Sequence, residues 1–429
     1  MSATLACVIF VGTYALIATE RVHRVAAAVG GVAAMAAVGL VGTRTAFYSE
    51  SSGIDWNVIF LLFGMMVIVS VLKQTGLFDA LAVWAAHGSG GRPFRLMALL
   101  MTVTAGASAL LDNVTTVLLM APVALMVCRR LGLDPGPYLI TLAFASNVGG
   151  AATLIGDPPN IIIASRADLS FNDFLVHMAP VVIVLHGVLL GLAWVLFRTR
   201  LEVDEDLATT ADDLRPGDAI RHPAMLRRSL VVLVLVMVGF SLHSVLHVQP
   251  SLVALLGAWV MVLVSGASPE QFLEEVEWAT LAFFMALFVL VGALVEVGVI
   301  GDIGEAAVQA TGDRTLVAAT ALLFGSAVLG ALVDNIPYTT AMSPVVQDLV
   351  ASMPAGEGEP LWWAFALGAD LGGNTTAVAA GANVVIIGIA ARNGTPVSFW
   401  QFTRYGIVVT AATLVVGWVY VWVRYFVLA

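Results

Sequence analysis

Residues 109–122 read Ala-Leu-Leu-Asp112-Asn113-Val-Thr-Thr-Val-Leu-Leu-Met-Ala-Pro122, and residues 331–344 read Ala-Leu-Val-Asp334-Asn335-Ile-Pro-Tyr-Thr-Thr-Ala-Met-Ser-Pro344. The two aspartate-asparagine pairs stand 222 positions apart in the same apolar setting. An ionisable side chain at membrane depth is costly to bury, so it indicates a functional site by default. Two such pairs at matching places predict a duplicated membrane protein whose halves together build one centre.

The composition is that of a membrane protein. Of the 429 residues 60% are hydrophobic and 11% are charged, and the mean hydropathy is +0.96. Long apolar runs recur from end to end, which excludes a cleaved signal peptide as their explanation. The 19 lysines and arginines form no polybasic run, so nucleic acid is not an expected partner. The cysteines, Cys7 and Cys128, lie away from the paired segments, and no cofactor or metal site is predicted.

The apolar pattern predicts an all-α polytopic membrane protein with two inverted repeats of five transmembrane helices. The repeats are expected at 1–197 and 228–429, joined by a linker at 198–227. The predicted spans run over 3–20, 25–42, 55–75, 138–163, 174–197, 228–247, 250–266, 278–298, 361–390 and 404–427. Five spans per half is an odd number, so the halves are expected to lie inverted in the membrane.

Each repeat is also expected to hold a hairpin, near 94–127 and near 315–349. Each leg has about 17 residues, at the low end of the spanning range. Two short spans or one re-entrant hairpin would both return the chain to the side it left. The re-entrant form is preferred because its Asp-Asn apex then lies inside the protein.

The duplication extends beyond the Asp-Asn pairs. Three more pairs of segments match at an offset of 222 or 223 positions. They are 54–63 with 276–285, 144–150 with 367–373, and 160–163 with 383–386. A near-constant offset over four segments makes chance similarity improbable, so both halves are expected to fold alike.

The distribution of lysine and arginine predicts the orientation. With the N-terminus outside, fifteen of them fall on the inner side and four on the outer side. The chain is therefore expected to lie in the plasma (inner) membrane as a multi-pass protein, with both termini outside and residues 198–227 in the cytoplasm. The first hairpin would enter from the cytoplasm and the second from outside.

The fourth span of each half is overlong and interrupted. Gly149-Gly150 and Pro158-Pro159 cannot continue a regular helix, and Gly372-Gly373 stand at the matching place in the second half. Broken helices expose helix ends and unpaired carbonyls, which build small polar sites with nearby side chains. Two alternatives stay open: the glycine pairs allow close helix packing, and the Asp-Asn pairs cap the hairpin apices.

Leu-Asp112-Asn-Val-Thr-Thr, and Asn147-Val-Gly-Gly-Ala-Ala-Thr-Leu-Ile-Gly-Asp-Pro-Pro-Asn160, resemble the ArsB/NhaD permeases of the ion transporter superfamily. These motifs look especially like those of ArsB-type arsenite permeases and the P protein. The resemblance covers nearly the whole chain and implies arsenite or antimonite efflux, or sodium-proton exchange, in an inverted-repeat fold. It also implies two candidate partners, because some ArsB-type carriers recruit a separate ATPase subunit and relatives are often homodimers.

Dicarboxylate carriers of the same superfamily have Ser-Asn-Thr at their hairpin tips, whereas both tips here have Asp-Asn. No lysine or arginine is expected in the cavity, so an anion would meet like charge. The expected function is secondary efflux of arsenite or antimonite in exchange for protons. A sodium-proton antiporter is the alternative, and a dicarboxylate or citrate carrier ranks below it. An enzyme is not expected, because the Asp-Asn segments lack the sequence context of intramembrane aspartyl proteases.

The candidate site residues fall into two groups. Substrate hydrogen bonds are expected from Asn113, Thr115, Thr116, Asn147, Gly149, Gly150, Thr153, Asn160, Asn335, Thr339, Gly372, Gly373, Asn374, Thr375 and Asn383. Proton carriers are expected among Asp112, Asp157, Asp334 and Asp370.

Overall fold

The structure is a computed structural model that describes residues 2–19, 22–49, 52–201, 219–266, 268–312, 314–354 and 356–428. All regular secondary structure in these ranges is helical, which confirms the expected all-α class. Residues 202–218 of the predicted linker lie outside the described residues, as do Arg21 and Arg215 from the count of basic residues.

The first half forms eleven helices in its described residues. They are α1 (Ser2–Ala18), α2 (Arg24–Ala37), α3 (Thr43–Phe47), α4 (Trp56–Gln74), α5 (Leu77–Ser89), α6 (Pro93–Ser108), α7 (Asn113–Arg130), α8 (Pro135–Gly150), α9 (Pro158–Ala167), α10 (Phe171–His177) and α11 (Ala179–Phe197). A 3₁₀ turn at Arg198–Arg200 follows α11.

The second half repeats most of this order. Its described helices are α12 (Pro223–Leu246), α13 (Pro250–Ser265), α14 (Pro269–Glu274), α15 (Trp278–Glu296), α16 (Val299–Thr311), α17 (Thr315–Leu332), α18 (Asn335–Ser352), α19 (Glu359–Gly372), α20 (Gly381–Arg392) and α21 (Phe399–Trp422). A π-helical turn at Val423–Val427 continues α21.

Seven helices among the described residues are long and apolar enough to cross a bilayer, by length and composition. They are Trp56–Gln74, Asn113–Arg130, Ala179–Arg200, Pro223–Leu246, Trp278–Glu296, Thr315–Leu332 and Phe399–Val427. The shorter apolar helices α1, α2 and α13 correspond to the predicted spans 3–20, 25–42 and 250–266. Each of the two interrupted spans consists of two helices, α8 with α9 and α19 with α20.

The helices pack into two groups. In the framework bundle α4 packs on α13, α13 on α12, α15 on α2 and α2 on α1. In the core bundle α6 packs on α8, α17 on α19, α7 on α20 and α9 on α18. The last two pairs join an element of the first half to an element of the second, so the two halves share one core.

Two amphipathic helices, α5 and α16, were not predicted. Helix α5 follows α4 and helix α16 follows α15, and each begins after a left-handed glycine, Gly76 with φ 81° or Gly298 with φ 82°. Residues with a Cβ rarely adopt this backbone conformation, which explains glycine at both places. Both helices lead the chain into a hairpin.

Two helix-turn-helix segments and two breaks between helices occur in the described residues. Turns at 109–112 and 333–334 join α6 to α7 and α17 to α18. Helix α8 ends at Gly150 and α9 begins at Pro158, while α19 ends at Gly372 and α20 begins at Gly381.

Candidate functional site

Asp112 and Asp334 cap the second helix of each hairpin. The Asp112 carboxylate accepts a hydrogen bond from the Thr115 backbone amide at 2.8 Å, and the Asp334 carboxylate accepts one from the Ile336 amide at 3.0 Å. An aspartate at this position satisfies an amide that the helix leaves unpaired. These contacts agree with the capping interpretation of the Asp-Asn pairs. Each aspartate binds the backbone at the start of its helix.

The asparagines next to these caps are buried, each with 2% of its surface exposed, and both lie beside Asp157. The Asn113 Nδ2 donates to Asp157 Oδ2 at 2.8 Å and to Asn147 Oδ1 at 3.2 Å. Asn335, from the other hairpin, also lies beside Asp157. A single carboxyl group in the first interruption is therefore the meeting point of both hairpin tips.

Asn147 joins the two interrupted segments. Its Nδ2 donates to Asn374 Oδ1 at 3.0 Å and to Asn383 Oδ1 at 3.1 Å. All three side chains are at most 1% exposed. The interaction brings together predicted residues that are more than 220 positions apart in the sequence.

Asn160 and Asn383 hold the backbone of the interruptions. The Asn160 Nδ2 donates to the carbonyls of Gly150 at 3.4 Å and Thr153 at 3.0 Å. The Asn383 Nδ2 donates to the carbonyls of Gly373 at 2.7 Å and Thr376 at 2.9 Å. In both halves the acceptors lie ten and seven positions before the asparagine. Each amide nitrogen therefore braces its own loop, and only the Oδ1 atom faces away from it.

Two loop threonines tie the interruptions to the hairpin tips. Thr153 Oγ1 donates to the Ala109 carbonyl at 2.5 Å, and Thr376 Oγ1 donates to the Ala331 carbonyl at 2.9 Å. Thr376 was not among the predicted site residues, whereas its neighbour Thr375 was. Thr375 hydrogen bonds Thr410 of α21 at 3.1 Å.

The predicted glycines permit close backbone packing. A Cβ on Gly149 would lie 2.3 Å from the Ala105 carbonyl oxygen, and one on Gly372 would lie 2.7 Å from the Ala327 Cα. A Cβ on Gly150 would lie 2.6 Å from the Gly156 carbonyl, and one on Gly373 would lie 3.0 Å from the Asp370 carbonyl. All four contacts are with backbone atoms, which agrees with the interpretation that the glycine pairs allow close helix packing.

Asp370 is fully buried near the end of α19, and neither of its carboxylate oxygens makes a hydrogen bond. Its side chain lies beside Asn160 and interacts electrostatically with Asp157. Asp157 is 1% exposed, and its Oδ1 has no hydrogen-bond partner. Neither carboxyl group takes part in an ion pair with any residue that the structure describes.

Several other polar atoms of this centre have no partner within the described residues. They are Asn113 Oδ1, Thr116 Oγ1, Asn160 Oδ1, Asn335 Nδ2, Thr339 Oγ1 and Asn374 Nδ2. Thr115 lies at the partly exposed edge and contributes its backbone amide to the Asp112 cap. A buried polar atom without a partner is costly, so this group of atoms is suited to a ligand or a proton.

The sequence predicts no lysine or arginine in the central cavity, and the structure places one arginine at its rim. Arg24 Nη1 lies 3.6 Å from Asp334 Oδ2, and both residues line a cavity of about 380 Å³ together with Gly381 at the start of α20. Arg24 is on α2, and no sequence spacing links it to the second hairpin. Its side chain is 36% exposed, so the cation lies at the rim and outside the buried centre.

Two serines of the centre were also missed. Ser146 Oγ donates to the Asn113 carbonyl at 2.8 Å, and Ser108 Oγ donates to the Ser146 carbonyl at 2.7 Å. The duplication gives no signal for them, because the matching positions are Ala369 and Gly330.

A family model described as CitMHS, citrate transporter, matches residues 14–368. The chain belongs to this citrate transporter family. An uncharacterized transporter of Mycobacterium tuberculosis is 54% identical over 99% of both chains. The 46 kDa membrane protein of Mycobacterium leprae is 49% identical over 99% of both chains. The human P protein is 35% identical over 98% of this chain and 60% of its own length.

A solved structure supports the fold assignment. The crystal structure of the Alcanivorax borkumensis YdaH transporter matches with a TM-score of 0.59 at 16% identity, over 85% of this chain and 84% of the other. The citrate transporter family and these relatives make the protein a multi-pass membrane transporter, as expected, and not an enzyme. They show the citrate transporter family and agree with the resemblance to the P protein, while the narrower assignment to ArsB/NhaD permeases stays a prediction.

Proposed function

We propose that the protein is a secondary transporter that couples its cargo to protons through Asp157 and Asp370. The observation that carries this proposal is the state of these two carboxyl groups. Both are buried among amide side chains without a cationic partner in the described part of the chain. An ionised carboxylate in such surroundings is costly, so it favours a proton or a cationic cargo. Asp112 and Asp334, committed to their caps, shape the tips.

The inverted plan is part of the proposal. Some contacts join a residue of the first half to a residue of the second half, and the predicted orientation places both residues on the same side of the membrane. On the cytoplasmic side Lys73 lies 2.5 Å from Glu275, and on the outer side Gln347 donates to the Arg166 carbonyl at 3.4 Å. The equal bracing by Asn160 and Asn383 supports two equivalent repeats. The proposal keeps both termini outside, the linker cytoplasmic and the hairpins re-entrant from opposite faces of the plasma membrane.

The first cargo to test is arsenite or antimonite. As neutral trihydroxides they require hydrogen-bond donors and acceptors without a compensating charge. The unpartnered hydroxyls of Thr116 and Thr339 and the unpartnered amides of Asn335 and Asn374 provide both. Sodium is the alternative, because the free oxygens of Asp157 and Asp370 would suit a cation equally.

Citrate is a second candidate cargo, favoured by two observations. The family is that of citrate transporters, and the rim of the site contains a cation, Arg24. The Arg24 guanidinium is paired with Asp334, so the pair has no net charge to offer a trianion. Citrate would therefore enter with protons or with a bound cation. The buried carboxyl groups of Asp157 and Asp370 would still couple its transport to protons.

Reconstituted liposomes with an internal pH indicator test both parts of the proposal. Arsenite, antimonite, sodium and citrate are added separately, and proton movement is compared between the native chain and the variants Asp157→Asn and Asp370→Asn. The matched control is Asp302→Asn, at an exposed position of α16. We expect proton movement driven by arsenite that both site variants abolish and the control retains. If only citrate or only sodium drives proton movement, that compound is the cargo and arsenite is rejected. Uptake of any cargo without proton movement would overturn the proposed coupling.

The resemblance to ArsB-type carriers adds two proposals about partners, a separate ATPase subunit and a homodimer. Cross-linking in native membranes tests both. A band at twice the monomer mass supports the dimer, and a heavier adduct containing an ATPase supports the other partner. A monomer alone in the membrane would contradict both proposals.

A further inference from the structure

We propose that a polar cavity of about 470 Å³ is a second cargo site, which binds a small neutral molecule rich in hydroxyl groups. This outer cavity lies between α9 of the core bundle and the α12–α13 turn of the framework bundle, on the side that the predicted orientation puts outside. The inference rests on the proposed transport of arsenite or antimonite as trihydroxides. It adds a binding step that does not use Asp157 or Asp370.

The walls of the outer cavity come from both bundles and are rich in polar side chains. Those that the argument uses are Asn57, Asp168, Ser170, His243, His247 and Gln249. No lysine or arginine is among the described residues that line it, so a trianion such as citrate would meet no positive charge. A neutral molecule needs only hydrogen bonds, and this lining is suited to provide them.

Three of the lining groups have an acceptor atom that is already occupied. Asn57 Oδ1 accepts from Ser251 Oγ at 2.9 Å, His243 Nε2 from the Phe171 amide at 3.3 Å, and Ser170 Oγ from the Asp173 amide at 3.1 Å. What remains on each is a donor, namely an amide N–H, the Nδ1–H of a neutral imidazole and a hydroxyl hydrogen. These donors suit hydroxyl oxygens, and the Asp168 carboxylate and the Gln249 carbonyl can accept the hydroxyl hydrogens.

Two residues of the outer cavity hold a backbone conformation that residues with a Cβ rarely adopt. Asp168 ends α9 with φ 54°, and His247 ends α12 with φ 53°. All other positive-φ positions in the described residues are glycines. Glycine would end both helices without strain. Backbone strain of this kind clusters at ligand sites, and here both strained residues, one from each bundle, bring their side chains to the same cavity.

A single stretch of backbone separates the outer cavity from the buried centre. Leu154 and Ile161 line the cavity, and each directly follows a polar residue of the centre, Thr153 or Asn160. The two apolar side chains are only 2% and 3% exposed. The first interrupted segment is therefore the wall between the two sites, and cargo in the outer cavity lies next to the segment that carries Asp157.

The cavity beside Arg24 is the repeat-related counterpart of the outer cavity. It lies between the α1–α2 turn and the second interruption, and it includes Val384, which the offset of 223 relates to Ile161. The predicted orientation puts the two cavities on opposite sides of the membrane. Among the described residues only the cytoplasmic cavity includes a hairpin tip, at Asp334. The equivalence supports one access site on each side of the centre.

Nitrogen NMR of the full-length protein in nanodiscs, with ¹⁵N-labelled histidine, tests the binding. The chain has seven histidines, and the His247 signal is identified by its absence from His247→Gly. We expect arsenite at neutral pH to shift this signal in the native protein and in Asp157→Asn. The signal of His222, at the other end of α12, should stay in place, and citrate at the same concentration should move neither. No shift of the His247 signal with arsenite, or an equal shift with citrate, would overturn the proposal.

Replacing either strained residue by glycine separates binding from folding. Asp168→Gly and His247→Gly each remove a side chain from the cavity and relieve the backbone, so the apparent melting temperature in detergent should stay constant or rise. The dissociation constant of arsenite should increase about fivefold, as expected for the loss of one hydrogen bond. Titration of the His243 signal, identified by its loss in His243→Gln, measures it. His222→Gly, at a helix start where the side chain caps no amide, is the matched control and should change neither quantity. Unchanged affinity in both glycine variants would contradict the second site.

The binding measurements need no proton gradient, so they separate this inference from the proposed transport. A shift of the His247 signal without proton movement in liposomes would reject the transport and keep the second site. Proton movement driven by arsenite without such a shift would reject the second site and keep the transport.

Discussion

The two interrupted segments share a backbone frame and differ in where their carboxyl group lies. Both have an asparagine brace, at Asn160 or Asn383, and a threonine that ties the loop to a hairpin tip. The first segment has its acid at the end of the break, at Asp157, and the matching position in the second is Ala380. The second has its acid before the break, at Asp370. The asparagine and threonine contacts that hold the backbone are therefore duplicated, whereas the position of the acidic residue is not. Each segment contributes one carboxyl group to the shared centre.

The largest expected effect concerns the shared frame. Gly149→Ala should lower the free energy of unfolding by about 3 kcal/mol, because its Cβ would meet a backbone oxygen at 2.3 Å and overpacking a close contact is costly. Gly372→Ala should cost less, since its nearest atom is 2.7 Å away. Chemical denaturation in detergent measures both. Gly187→Ala, with no atom within 4 Å, is the control. Equal losses in all three would refute the close packing.

The second largest loss of stability is expected at the two asparagines that bind the loop carbonyls, Asn160 and Asn383. Asn383→Ala and Asn160→Ala each remove two hydrogen bonds to loop carbonyls, and leaving buried carbonyls unpaired costs about 2 kcal/mol. The loss should be greater at 383, whose Oδ1 also accepts from Asn147. Thermal denaturation in the same detergent measures the difference. Asn393→Ala, which loses a bond within its own helix turn, is the control. A larger loss at 160 would reverse the comparison.

The third largest effect is expected from the threonine hydrogen bonds to the hairpin tips, and the two losses of stability should be nearly equal. Thr153→Val and Thr376→Val each remove one hydrogen bond to a hairpin tip, worth about 1 kcal/mol. Hydrogen exchange should become faster in the turn next to each threonine contact, 109–112 or 333–334. Thr102→Val, whose exposed hydroxyl bonds to its own helix and to His186 of α11, should change neither turn. Faster exchange in both turns from one substitution would show that the two halves are not held independently.

The smallest expected effect is at the rim, where the halves also differ. Asp334 has an ion pair with Arg24, whereas Asp112 has none among the described residues. Since the pair is partly exposed and 3.6 Å long, Arg24→Gln should cost less than about 1 kcal/mol, and the loss should shrink further at high salt. Urea unfolding at two salt concentrations measures it against the exposed Arg95→Gln. A salt-independent loss of several kcal/mol would place Arg24 in the centre.

The helical class, the hairpins and the interruptions were predictable because they follow from local sequence. Apolar length predicts spans, and Gly-Gly and Pro-Pro predict breaks. The repeat offset identified Asn113 with Asn335 and Asn160 with Asn383 as related pairs. It could not show that the amides of Asn160 and Asn383 face backbone carbonyls, because the direction of a side chain depends on the folded loop.

Residues without a repeat partner were harder to rank. Asp157 corresponds to an alanine, so the duplication gives no signal for it, although Asn113 of one tip donates to it and Asn335 of the other lies beside it. Arg24 acts on Asp334 from a helix of the other half, and a contact of that range has no local signal. The helices α5 and α16 were missed because they are too short and too amphipathic to register as spans.

The hydrogen bond from Asn113 to Asp157 means that the empty carrier partly binds itself. The Asn113 amide satisfies Asp157 Oδ2, whereas Asp157 Oδ1 and the Asn335 amide have no hydrogen-bond partner among the described residues. A cargo that bound at this centre would therefore meet one carboxylate oxygen that is already engaged and one that is still open.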